Sequence, residues 1–385
     1  MAKSADGRIS RARQQRSRLP FFVRPCGLLT LLIAGPEPAQ ARQRFELHIP
    51  RVTTEELERN ATLRSGLHPY VLTDFASTTW KSMNWTLDYL VKKIPFEWVD
   101  FYPHNMDDVN SKPFLYKLED AMSKFYKPTA QNKPKYMQMR IGLRGWTRLK
   151  KDFQPKPLPD IFWDDDEWIS KCMVKEDGTV DKPAIDNFFV TQQWKFLLIG
   201  QNGTTMFFHK DGTAASSWQV LVLGKKKWTL CPNSESHRLS VNINTFDPYQ
   251  YTKFPKFEKA QCGQVTVTPG ELLYYPGYWW HQTYQLETPT VGYTGALVGV
   301  EADRNDLGGV KKAHSRFYQD IMDKCAKCWK KGEPKRLCPD ISQQWPGAAP
   351  PIMREVCETY LPKCFELWEE HAESLHGKTV GKDEL

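Results

Sequence analysis

The sequence predicts a mainly β protein, with an α/β lead-in before its core and a helical hairpin after it. Residues 194–300 carry the first reason: six short β-rich runs (WKFLLIG, SWQVLVLG, KKWTLCP, GQVTVTPG, ELLYYPG and PTVGYTGALVGV), each bounded by Gly or Pro. No helical stretch separates them, and short strands without crossover helices imply a sandwich or small barrel rather than a doubly wound sheet. The second reason is the mixture of strand and helix signals before residue 160. The third is the tail beyond 304, where residues 311–331 and 351–375 read as two helices, the latter opened by Pro350 and Pro351.

At 385 residues the chain can bury a proper core in one large domain or two. An aromatic content of 13% argues against disorder. The net charge of +8 would suggest nucleic acid were it not so unevenly placed. Residues 1–41 hold seven basic side chains against two acids, +5 of that total, which leaves +3 for all the rest. A near-balanced chain gives no electrostatic footprint for nucleic acid.

Those early basic residues lead into a short apolar run at 26–35 (CGLLTLLIAG), then a small-x-small site at Ala39 and Ala41. That order reads as a secretory signal peptide, residues 1–41, cleaved before Arg42. The run is too short to span a bilayer. At the other end, residues 379–385 finish in Lys382, Asp383, Glu384 and Leu385, an address read by the KDEL-type ER-retention receptor. Asn60, Asn84 and Asn202 each open an N-x-T triplet, in keeping with a lumenal glycoprotein. Losing Cys26 with the signal leaves eight cysteines, an even number suited to disulfides in an oxidising compartment. The expected residence is the endoplasmic reticulum lumen, with no membrane span.

Residues 42–160 form the lead-in, expected to pack on the core. Thr53 caps a short helix with acids in its first turn, HPYVLTDF (68–75) reads as a strand, Thr86 caps a second helix, and FEWVDFYP returns to a strand. Residues 114–126 have apolar spacing near 3.6 and read as helical throughout. Arg140, Arg144, Arg148, Lys150 and Lys151 read as a solvated face, and the acidic run 164–167 as the first turn of a helix.

The chemistry falls in the core, residues 161–303. His209 and Asp211 stand two apart, so on a strand they share one face. His281, just beyond the PGYWW turn, can meet them only if the sheet closes or folds over. Two imidazoles and one carboxylate, without cysteine, suit Fe(II) with positions left open for a bidentate co-substrate and O2, where a cysteine cage would close the site. A bidentate 2-oxo acid also needs a cation for its far carboxylate. In Gly224-Lys225-Lys226-Lys227-Trp228, strand alternation turns Lys226 to the face opposite its neighbours.

Together, HKD, the following W, GKKKW, PG-x5-PGYWWH and the later Thr resemble the JmjC/cupin-like family of Fe(II)/2-oxoglutarate oxygenases over roughly residues 45–300. The likeness is greater to small hydroxylase-type members than to the large chromatin demethylases. It implies a double-stranded β-helix (cupin, or jelly-roll) core, and His209, Asp211 and His281 as metal ligands and catalytic centre. It further implies Lys226 and Thr294 on the 2-oxoglutarate C5 carboxylate and Gln219 lining the co-substrate. Met206 stands where relatives carry a Thr or Ser, leaving Thr205 or Thr204 to supply that hydroxyl. Tyr278 stands where a Gly is common. Ascorbate is the expected supporting reductant, and a protein or peptide of the secretory pathway the expected substrate. His237, Phe207 and Phe208 belong to no motif and read as surface or core.

In the tail, residues 304–378, Cys325 and Cys328 share one helix face and Cys357 and Cys364 another, which fits a helical hairpin stapled by disulfides rather than a redox-active CxxC. The resemblance implies homodimerisation through such helices. The rival readings are a non-catalytic lumenal scaffold with the same fold, and a zinc or manganese cupin of other activity. Neither the substrate nor the hydroxylated residue type is written in the sequence.

Overall fold

Twelve strands are present in the computed structural model of the chain, which describes residues 45–76, 80–103, 106, 110–128, 133–153, 165–191, 194–211, 215–297, 319–321, 323 and 355–367. They are β1 (Arg51–Val52), β2 (Tyr70–Leu72), β3 (Trp98–Tyr102), β4 (Phe114–Lys117), β5 (Tyr136–Arg140), β6 (Lys195–Gly200), β7 (Ser216–Leu223), β8 (Lys226–Cys231), β9 (Gly263–Val267), β10 (Leu272–Tyr275), β11 (Trp280–Gln285) and β12 (Thr290–Leu297). Nine form one sheet in the order β1-β2-β10-β7-β12-β6-β5-β3-β4, and β11-β8-β9 form a second. Every pairing is antiparallel except β1 with β2. The lead-in thus extends the major sheet at both edges.

The central strands bury both faces, which is why they read as nearly unbroken apolar runs. Along β7, Trp218, Val220 and Val222 join the large aromatic core, while Leu221 joins a second cluster on the opposite face. β10 divides in the same way, Leu272 and Tyr274 to the first and Leu273 and Tyr275 to the second. That second cluster also takes Trp228 and Leu230 from β8 and Val265 and Val267 from β9, so the two sheets close over one another. This is the jelly-roll arrangement expected of a cupin core. The described residues all fall within one compact unit.

Some expectations change. Residues 114–117 are a strand and not the start of a helix: alternation pairs Phe114–Lys117 with β3, and helical burial begins with Leu118, Ala121 and Phe125 of Leu118–Phe125. Arg140 is not on a solvated face, because β5 pairs directly with β6 and turns Arg140 into the cavity described below. Arg144 and Arg148 lie over the Phe96 ring, 3.9 and 4.9 Å from its centroid.

Cys364 pairs with Cys172, not with another tail cysteine. The reason is burial: the helical stretch 355–367 packs Val356, Cys357, Tyr360, Leu361 and Cys364 onto the core, where the Tyr360 hydroxyl donates to Asp181 at 2.9 Å. Cys357 is also disulfide-bonded, and Cys231 pairs with Cys262. The signal segment, the terminal address, Cys325, Cys328, most of the first expected tail helix and both ends of the second lie outside the described residues.

Candidate metal centre and co-substrate cavity

Cross-strand pairing assembles the centre. The segment before Asp211 runs beside β11, with Thr205 bridging Tyr284 and His209 bridging His281. His209 and His281 exchange both backbone hydrogen bonds, at 3.1 and 2.8 Å, and their rings sit 4.2 Å apart. Asp211 follows just past the end of this pairing, in coil. Its Oδ1 lies 3.8 Å from His209 Nε2 and 3.7 Å from His281 Nε2. Among the described residues this is a group of ligand atoms all within 4.8 Å of one another.

The protonation states suit a cation. His209 Nδ1 lies 2.8 Å from the Phe207 carbonyl and His281 Nδ1 lies 3.0 Å from the Trp279 carbonyl. A carbonyl only accepts, so each Nδ1 carries a proton and each Nε2 is the nitrogen that faces the centre. Burial, then the neighbouring His281, lowers His209 to about 4 against the pull of Asp211, so its ring is neutral. Burial acts to raise Asp211, but the two histidines and the hydroxyls of Ser217 and Tyr275 outweigh it and hold the carboxyl below its ordinary value.

The centre opens into a cavity of about 770 Å³, in the size range of small-ligand sites. Lys226, Gln219, Thr294, Thr283, Tyr136, Gln138 and Arg140 all line it. Lys226 is 1% exposed, donates to Gln219 Oε1 at 2.8 Å and lies over the Trp228 ring, 4.7 Å from its centroid. Burial lowers its ammonium to about 7. Among the described residues no carboxylate pairs with it. Gln219 and Thr294 face each other across β7 and β12. A Cβ on Gly292 would come 2.9 Å from Gln219 Oε1, so glycine there leaves room for the amide.

Two hydroxyls fall differently from expectation. Thr205 does not line the cavity: its hydroxyl donates to the Thr283 carbonyl at 2.6 Å, because the bridge to Tyr284 turns it toward β11. Thr294 does line it, with its proton given to the Trp218 carbonyl at 2.6 Å. Thr283 also lines the cavity, and its buried hydroxyl has no hydrogen-bond partner. Thr283 stands two residues after His281 on β11, and strand alternation alone places it on the same face. Tyr136, Gln138 and Arg140 share a face of β5 by the same rule. Phe207 lines the cavity as well, whereas Phe208 is core and His237 is exposed.

The family model for the cupin-like domain matches residues 46–300. The chain belongs to this cupin-like, JmjC-type oxygenase family. It is 27% identical over 181 residues to an arginine-specific demethylase, JMJ20, of Arabidopsis thaliana, covering 44% of this chain and 38% of that protein. It is 32% identical over 160 residues to the mouse 2-oxoglutarate and iron-dependent oxygenase JMJD4, covering 38% and 34%. A 108-residue stretch is 30% identical to human HSPB1-associated protein 1, covering 25% and 21%. The cupin-like chain therefore matches well under half the length of these relatives. Its donor set, two imidazoles and a carboxylate, fits Fe(II), and its buried, carboxylate-free lysine fits a 2-oxo diacid.

Proposed function

We propose that this cupin-like protein is an Fe(II)- and 2-oxoglutarate-dependent dioxygenase that hydroxylates side chains of proteins in the endoplasmic reticulum lumen. The observation that carries the reading is the convergence of His209, Asp211 and His281 in the same cavity as the buried Lys226. His209 Nε2, His281 Nε2 and Asp211 Oδ1 would hold the metal on one side and leave the cavity side open. Lys226, steadied by Gln219, would hold the far carboxylate of 2-oxoglutarate, with the hydroxyls of Thr283 and Tyr136 beside it. Iron held there would supply activation of O2, with 2-oxoglutarate oxidised to succinate and CO2 and one oxygen atom each entering succinate and the substrate. Trp228, Tyr275 and Phe207 supply aromatic walls to the cavity beside the centre.

A protein substrate is supported by the relative named for its association with HSPB1 and by an arginine-specific demethylase among the relatives. A lumenal setting is supported by the buried Cys172–Cys364 and Cys231–Cys262 disulfides, with the signal-like start and the KDEL ending. No helix among the described residues is long and apolar enough to cross a membrane. The test is succinate release from 2-oxoglutarate by residues 42–385 with Fe(II) and ascorbate. Release by the wild type and none by Asp211→Ala is expected; equal release by both would overturn the site. Deleting residues 382–385 should send the protein to the medium, and full retention would remove the basis for the lumenal assignment.

A further inference from the structure

The Asp211 carboxylate has two oxygens with different surroundings. Oδ1 faces the two imidazoles. Oδ2 accepts the Ser217 hydroxyl at 3.1 Å and the Tyr275 hydroxyl at 3.3 Å. Ser217 on β7 and Tyr275 on β10 are cross-strand partners, so one rung of the major sheet delivers both donors. The Tyr275 ring is further held against His281 and Trp228, at centroid distances of 4.8 and 5.6 Å.

A carboxylate oxygen offers two lone pairs. Both of those on Oδ2 are taken, so it has none left for a cation. We infer that Ser217 and Tyr275 are positioning residues that restrict Asp211 to one-oxygen coordination and thereby keep three metal positions open. Were Oδ2 free, the carboxylate could turn to grip a metal with both oxygens. One of the positions needed by a bidentate 2-oxo acid and O2 would then be filled. Neither residue carries a motif, and the Lys226 ammonium donates to Gln219 rather than to either of them.

This inference rests on the metal reading above, and the experiment separates the two. Mn(II) is used as the metal probe, with Tyr275→Phe, Ser217→Ala and the double variant. Oxygen-17 water broadening of the Mn(II) EPR signal counts the exchangeable waters, and 2-oxoglutarate affinity of the Mn(II)-loaded protein is measured by calorimetry. Wild type should show three waters. The double variant should show two, with 2-oxoglutarate bound at least about tenfold more weakly, in line with the roughly 10–100-fold loss of metal affinity or activity when a metal ligand loses its partner. Ser217→Thr, which keeps the hydroxyl, should retain three. A double variant that is folded by circular dichroism, with three waters and wild-type 2-oxoglutarate affinity, would overturn the inference. A wild type that binds no Mn(II) would overturn the metal reading itself, and the inference with it.

Discussion

Burial lowers the Lys226 ammonium from 10.5 to about 7, yet the carboxylate it is placed to meet favours the charged form. The sign follows directly. Below pH 7 the free protein already carries the proton, so 2-oxoglutarate affinity is flat; above it, binding must draw a proton from buffer and weakens by up to about tenfold per pH unit. Calorimetry at pH 8 in two buffers of different ionisation enthalpy should report uptake of one proton, and no uptake would contradict this. Lys226→Gln keeps the amide partner Gln219 but loses the charge, and should weaken 2-oxoglutarate by about 10–100-fold with Mn(II) affinity unchanged. At this scale the sequence told much about ligands and little about hydroxyls. His209, Asp211 and His281 stand in a spaced motif. The direction of the Thr205 hydroxyl depends on a bridge to Tyr284, and the Ser217 and Tyr275 contacts depend on a sheet rung, neither of which has a local signal.

Strands bounded by Gly and Pro were legible because turn residues punctuate them, and β6 to β10 and β12 fall where the six apolar runs stand, whereas β11 lies outside those runs. Residues 114–126 were not, because FLYK runs into LEDAMSKF without a breaker, and pairing to β3 decides the first four residues. Tyr278 shows the cost of one departure: it sits at φ 58, where glycine is favoured, and its hydroxyl bonds to Asp320. Two glycines make opposite tests. A Cβ at Gly292 meets the movable end of Gln219, so Gly292→Ala should leave the urea midpoint nearly unchanged while weakening 2-oxoglutarate several-fold. Gly224, at φ +77 in the β7–β8 turn, would place a Cβ 2.7 Å from the Pro289 carbonyl oxygen. Gly224→Ala should therefore destabilise the fold by about 1–3 kcal/mol in urea unfolding. Equal behaviour of the two variants would contradict this division.

Across the whole chain, closure of the two sheets was foreseeable from the succession of short strands without crossover helices and from the need for His281 to reach His209. The strand order itself, with lead-in strands at both edges, has no local signal, since it rests on pairings between distant segments. Disulfide partners were unreadable for the same reason. Cys172 and Cys364 are 192 residues apart, and Cys364→Ser should cost about 2–5 kcal/mol of stability without altering metal affinity. Buried Glu97 sets a pH window. Burial, opposed by the Gly142 N–H, raises it from 4.5 to about 7, with Asp186 adding to the rise. Between those values the folded protein holds a proton that the unfolded chain has lost, so stability falls as pH rises through the window, by up to about 3 kcal/mol. Urea titrations of Glu97→Gln from pH 4.5 to 7 should lack that decline; an unchanged slope would contradict it.

The most direct measurement is an anaerobic titration of the purified protein with Fe(II) and 2-oxoglutarate, followed in the visible. A 2-oxo acid chelated by two oxygens to Fe(II) gives a charge-transfer band that neither component shows alone. The expected result is a band that saturates at one equivalent of each. It should be absent in Asp211→Ala and should need far more 2-oxoglutarate in Lys226→Gln. No band in the wild type, or an equal one in Asp211→Ala, would contradict a metal and co-substrate centre built on His209, Asp211, His281 and Lys226.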